Sequence, residues 1–163
     1  MENENMNMLL VYYSRTGYNE KLAIELQAKL GCDIDKIVDT VNRKGVLGWI
    51  RSGRQASGKQ MSQIEPTEKD PANYDLVIIC YPFWSGVMPP PMRTYISDNK
   101  NKFKEVALMS VSGRGKSNGK AVPDFEEATA KKSSATLILS RLDIRRSSYK
   151  EKLQEFAESI SKL

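Results

Sequence analysis

The sequence contains no histidine. That absence removes Ser-His and Cys-His activation of a nucleophile, imidazole acid–base catalysis near neutral pH, and His-ligated zinc. Cysteine is nearly as scarce. Cys32 and Cys80 lie far apart with no C-x-x-C spacing, which reads as two reduced, inert thiols and gives no support for a disulfide or a metal site. Long apolar runs are also missing. None approaches the ~18 residues of a membrane span, and Met8 to Tyr13, behind a polar opening, is too short for a signal-peptide core. The cytoplasm is therefore the expected location. No set of catalytic side chains or metal ligands stands out, so any chemistry is expected to belong to a bound cofactor.

What is present is ordinary for one globular domain spanning 1–163, with 40% apolar and 28% charged residues. The charge balance is less ordinary, at +5. Arg43 to Lys59 holds five basic residues and no acid, and Lys100 to Lys120 holds six against Glu105 alone. Such stretches are either a solvated basic surface or a docking face for an acidic partner. They lack the interleaved aromatics of single-strand binders, so nucleic acid is not expected.

Apolar patterning predicts strands at Met8 to Tyr13, Asp33 to Val38, Leu76 to Cys80, Val106 to Val111 and Ala135 to Leu142. Helical spacing falls between and after them, at Tyr18 to Leu30, Met92 to Ser97, Asp124 to Lys132 and Tyr149 to Leu163. The glycine-diluted stretch 42–63 reads as a short helix followed by an exposed basic loop. No repeat or linker suggests a second domain. This alternation predicts an α/β fold: a doubly wound, five-stranded parallel sheet in the order 2-1-3-4-5 with helices on both faces. Ligands in such sheets bind at the carboxyl ends of the strands, where the order reverses beside the first.

Three loops should meet there. The first, SRTGYN (Ser14, Arg15, Thr16, Gly17, Tyr18, Asn19), crowds hydrogen-bonding groups onto a strand-to-helix turn. A helix start offers unpaired N–H groups and a positive dipole end, which together can hold a phosphate; simple helix capping accounts for only one such residue. The second, CYPFWSGVMPPPM, sets Tyr81, Phe83 and Trp84 where the chain leaves the sheet. They suggest a wall for a flat ring, although aromatics also serve as core. The third, SVSGRGKSNGK, contains Gly115-Lys116-Ser117 but has Ser110 where a P-loop needs its first glycine, and its glycines are one residue too widely spaced for a dinucleotide fingerprint. It reads as a glycine-rich loop whose amides can approach a ligand.

On these residues the chain resembles the flavodoxin-like family. LLVYYSRTGYNEKLA is similar to that family's signature of a hydrophobic strand, an aromatic, S-x-T-G-x-T/N and a helix. YDLVIICYPFWSGVMPPPM is similar to its third strand and aromatic flavin loop. The resemblance covers nearly the whole chain in strand order and looks like the short-chain form. It implies FMN bound non-covalently, with the phosphate held by Ser14, Arg15, Thr16, Gly17, Tyr18 and Asn19. It further implies Pro82, Phe83, Trp84, Ser85 and Gly86 along the isoalloxazine edge, and Ser112, Gly113, Arg114 and Gly115 on the far side. Of the two tryptophans, Trp84 is the one expected against the ring, with Trp49 as a remote reference. The implied function is electron transfer with a redox partner protein. The alternatives are an FMN-dependent NAD(P)H:quinone-type oxidoreductase, or a flavodoxin-like binding module that has lost FMN. Electron carriers of that family are usually acidic whereas this chain is basic. Arg114 and Lys116 are therefore expected to make the flavin potential less negative and to favour an acidic partner.

Overall fold

The computed structural model describes residues 6–113 and 119–163. Five parallel strands form its sheet: β1 (Met8–Tyr12), β2 (Asp33–Lys36), β3 (Leu76–Cys80), β4 (Glu105–Ser112) and β5 (Ser133–Ser140). Their order is β2-β1-β3-β4-β5, as the alternation predicts. Side chains alternate across the pleat. Leu10 and Tyr12 pack with α1 (Tyr18–Leu30) and with the last helix, which contributes Leu153, Phe156 and Ile160. Leu9 and Val11 face the opposite way, into a second core with Met92, Ile96 and Phe125. β3 is buried along its whole length, which explains its unbroken apolar run.

Several boundaries differ from expectation, each for a local reason. The stretch 42–63 holds a full thirteen-residue helix, α2 (Gly45–Ser57), in place of a short helix and a loop. Its buried face consists of Gly48, Ser52 and Ala56, one residue per turn. A Cβ on Gly48 would clash with the backbone C and O of Arg43, so glycine there is a packing requirement and not a helix breaker. α3 (Pro90–Asn99) begins at the second residue of the proline run, since first-turn positions need no N–H donor. α4 (Ala121–Thr129) likewise takes Pro123 into its first turn. β5 stops at Ser140 because that residue caps a helix the periodicity did not suggest, α5 (Arg141–Arg145). α6 (Tyr149–Ile160) closes the chain.

Tyr12 pairs with Cys80, and Cys80 with Met109, so β1 and β3 end level while β4 continues to Ser112. The carboxyl edge of the three central strands therefore emits the three expected loops side by side. Cys32 and Cys80 are free and buried, and burial pushes the Cys32 thiol up to about 11. Neither thiol is poised for chemistry.

Candidate functional site

The first loop turns at Gly17, whose φ of 89° places it in the left-handed region immediately before α1. The Ser14 hydroxyl accepts the Gly17 N–H at 3.1 Å, folding the loop back on itself. Thr16 is exposed at the tip. Asn19 is buried, and its amide clasps both backbone groups of Val111: Oδ1 accepts the N–H at 2.8 Å while Nδ2 donates to the carbonyl at 2.9 Å. This pair joins the start of α1 to the end of β4. Arg15 reaches the other way, with Nη2 donating to the Arg43 carbonyl at 2.8 Å, and so anchors the approach to α2.

The second loop is a tight hairpin. Trp84 and Val87 exchange backbone hydrogen bonds at 2.9 and 3.1 Å, and Ser85 and Gly86 between them take φ of 53° and 79°. Positive φ at both central residues is the geometry of a two-residue hairpin turn. Buried Asp124 fixes the loop's far end, accepting the Met88 N–H at 2.8 Å while paired with Arg93. Tyr81 proves to be core, fully buried against Phe83 and Phe125. Phe83 and Trp84 remain only partly buried. Trp84 takes the edge of Tyr13 at 5.7 Å between centroids and the Arg43 guanidinium at 5.3 Å. Burial is the main cause that raises the Tyr13 phenol to about 12, with Asp39 adding to it.

Arg43 is itself buried, paired with Asp39 and donating to Gln55 on α2 at 2.7 Å and to Ser62 at 3.2 Å. It couples α2 to the edge of the aromatic loop, and Ser85 adds a second tie by donating to the Gly53 carbonyl at 3.2 Å.

The loops enclose a cavity of about 690 Å³. Of the residues expected at a binding site, Arg15, Thr16 and Asn19 line it from the first loop. Pro82, Phe83, Trp84 and Ser85 line it from the second, and Ser112 and Gly113 from the third. Ser14, Gly17, Tyr18 and Gly86 shape the turns without lining the cavity. Arg114, Gly115 and Lys116 lie outside the described residues. The opposite wall was not foreseen: α2 supplies Trp49, Ile50, Ser52, Gly53, Arg54 and Ser57, and α5 supplies Arg141. Both tryptophans thus border one cavity, and Trp49 cannot serve as a remote reference. Two sequence signals pointed there: the four-residue spacing of Gly48, Ser52 and Ala56, and the S-x-x-D box at Ser140 and Asp143.

Three guanidinium groups, from Arg15, Arg54 and Arg141, border this space, and no carboxylate does among the described residues. Arg141 also lies over the Tyr18 ring at 5.4 Å, and Arg145 donates to the Tyr18 hydroxyl at 3.4 Å. The arrangement suits a ligand with an anionic end and a flat apolar body. No group of His, Cys, Asp and Glu that could hold a metal occurs among the described residues.

No protein-family model matches the chain, and no curated protein matches it. Solved structures do. A flavoprotein from Lactobacillus acidophilus, solved in complex with FMN, is 22% identical with a TM-score of 0.71, over 88% of this chain and 99% of that one. A Fusobacterium nucleatum flavodoxin bound to flavin mononucleotide is 12% identical with a TM-score of 0.59, over 96% and 98%. A short-chain flavodoxin associated with a non-canonical PDU bacterial microcompartment is 16% identical with a TM-score of 0.56, over 96% and 98%. The fold is flavodoxin-like. At these identities the likeness is one of architecture, and function has to be argued from the site.

Proposed function

We propose that the protein binds FMN non-covalently and transfers electrons through it. The observation that carries this reading is the convergence of the Thr16 turn, the Phe83–Trp84 hairpin and Ser112–Gly113 on one cationic, aromatic-walled cavity. The donor set fits the cofactor. Backbone N–H groups at the start of α1, the Thr16 hydroxyl and the Arg15 and Arg141 guanidinium groups would hold the phosphate. Phe83, Trp84 and Trp49 would flank the ring and keep water from its faces. FMN supplies the redox chemistry when bound. The aromatic side chains would hold the ring, and the Arg54 guanidinium on the same cavity wall would favour negative charge on the bound group. The cavity mouth would admit a redox partner protein.

A second reading, reduction of a quinone-type substrate by NAD(P)H, is favoured by the exposed apolar wall of Trp49 and Ile50 at the same mouth. Anaerobic mixing with NADH and NADPH separates the two, since a carrier is reduced slowly by either.

The decisive experiment compares FMN with riboflavin. Thr16→Ala should weaken FMN by about ten- to a hundredfold, the worth of a hydrogen bond to a charged group, and leave riboflavin nearly unchanged. Equal losses for both would remove the phosphate from the first loop, and failure to bind FMN at all would end the proposal.

A further inference from the structure

α2 is built inside out. A helix on a globular surface normally turns its large apolar side chains inward. Here the inward positions are Gly48, Ser52 and Ala56, while Val46, Leu47, Trp49 and Ile50 are 74, 83, 66 and 45% exposed. Met61, just beyond the helix, is 60% exposed as well. The rest of the face is cationic. Lys44, Arg51 and Arg54 enter no ion pair among the described residues, and no acid occurs from residue 40 to 64. Apolar surface left in water beside unpaired cations marks a face that something else covers.

We propose that α2 docks the protein on an anionic phospholipid surface, lying in the interface with Val46, Leu47 and Ile50 toward the acyl boundary and Lys44 and Arg51 among the headgroups. Bulky apolar side chains beside arginine and lysine form the composition of interfacial helices, and each cation gains from a negative surface potential. Two other occupants fit less well. A second copy of this chain, related by a twofold axis, would bring the same cations together. A specific protein interface fixes its register with complementary charges and hydrogen-bonding pairs, whereas this face offers charge of one sign beside aliphatic side chains.

Ile50 belongs both to this face and to the cavity wall, which it shares with Trp49 and Arg54. Docking would therefore turn the cavity mouth toward the lipid boundary, where a lipid-soluble electron acceptor could reach it. That consequence rests on the flavin reading; the docking does not.

The test is co-flotation of the full chain with vesicles, using variants that lie off the cavity wall. Vesicles of phosphatidylcholine with roughly a third phosphatidylglycerol should carry the protein, and phosphatidylcholine alone should not. Partition should fall as salt rises from ~0.05 to ~0.5 M. Val46→Ser with Leu47→Ser should reduce it by about tenfold or more through lost apolar burial, and Arg51→Glu should do so through charge. Absence of wild-type flotation overturns the proposal, as does wild-type partition by both variants. So does sedimentation as a dimer that Leu47→Ser dissolves, or binding to an acidic protein with none to anionic vesicles. Flavin content does not enter any of these readings, so failure here leaves the proposed function standing.

Discussion

The Ser112 hydroxyl accepts the Phe83 backbone N–H at 2.8 Å and lies 3.2 Å from the Ser110 hydroxyl. One side chain at the end of β4 thereby holds the aromatic loop that follows β3. Ser112→Ala would leave a part-buried N–H without its acceptor, at a cost of about 1–3 kcal/mol shared between stability and loop placement. The loop is proposed to face the ring and not the phosphate. Fluorescence titration should therefore show FMN and riboflavin weakened by the same factor, about tenfold. A loss confined to FMN would place Ser112 at the phosphate instead.

Two glycines on α2 make opposite predictions. Gly48 faces Arg43, whose backbone atoms leave no room for a Cβ. Gly48→Ala must push the helix outward and disturb buried Arg43, a destabilisation of about 1–3 kcal/mol. Gly53 would meet only the Ser85 hydroxyl, at 3.4 Å. Gly53→Ala should stabilise α2 by up to ~1 kcal/mol through helix propensity. Thermal melts followed by circular dichroism should move in opposite directions. A fall in both would mean that the Ser85 contact is tighter than its distance indicates.

The central sheet was legible because its strands are buried on both faces and read as unbroken apolar runs, as in Leu76 to Cys80. The first and second loops were legible for a related reason: polar and aromatic residues crowd where such runs stop. α2 was not, because the usual signal is reversed. Gly48 looked like a break in a helix and is instead part of its contact surface with Ser52 and Ala56, while its large apolar residues, read as one short helical stretch before a basic loop, point outward. Tyr81 was misjudged for want of one angular fact. It follows β3 directly and points into the core, whereas Phe83 and Trp84, beyond Pro82, turn to the cavity. Arg141 was hidden by continuing β5 through Leu142, although Ser140-x-x-Asp143 is a helix-start pattern.

That capping box makes the last prediction, which concerns acid. The Asp143 carboxylate accepts the Ser140 backbone N–H at 2.7 Å and the Ser140 hydroxyl at 2.7 Å, with Lys152 at 3.4 Å. These partners, the backbone N–H foremost, hold its pKa down from 3.8 to about 2. A carboxyl whose native pKa is depressed binds its proton less readily folded than unfolded. Its stabilisation is therefore complete above about pH 4 and is lost as the pH falls toward about 2, a change of about 1–2 kcal/mol. α5 carries Arg141 at the cavity wall, so loosening the box should also weaken ligand binding there. Asp143→Asn should lower stability at neutral pH by about 1 kcal/mol, within the range for a lost helix cap. It should also flatten the stability slope between pH 4 and 2 relative to wild type. Chemical denaturation at stepped pH measures both. A variant whose slope still matches wild type would assign the acid sensitivity to other carboxylates and detach α5 from it.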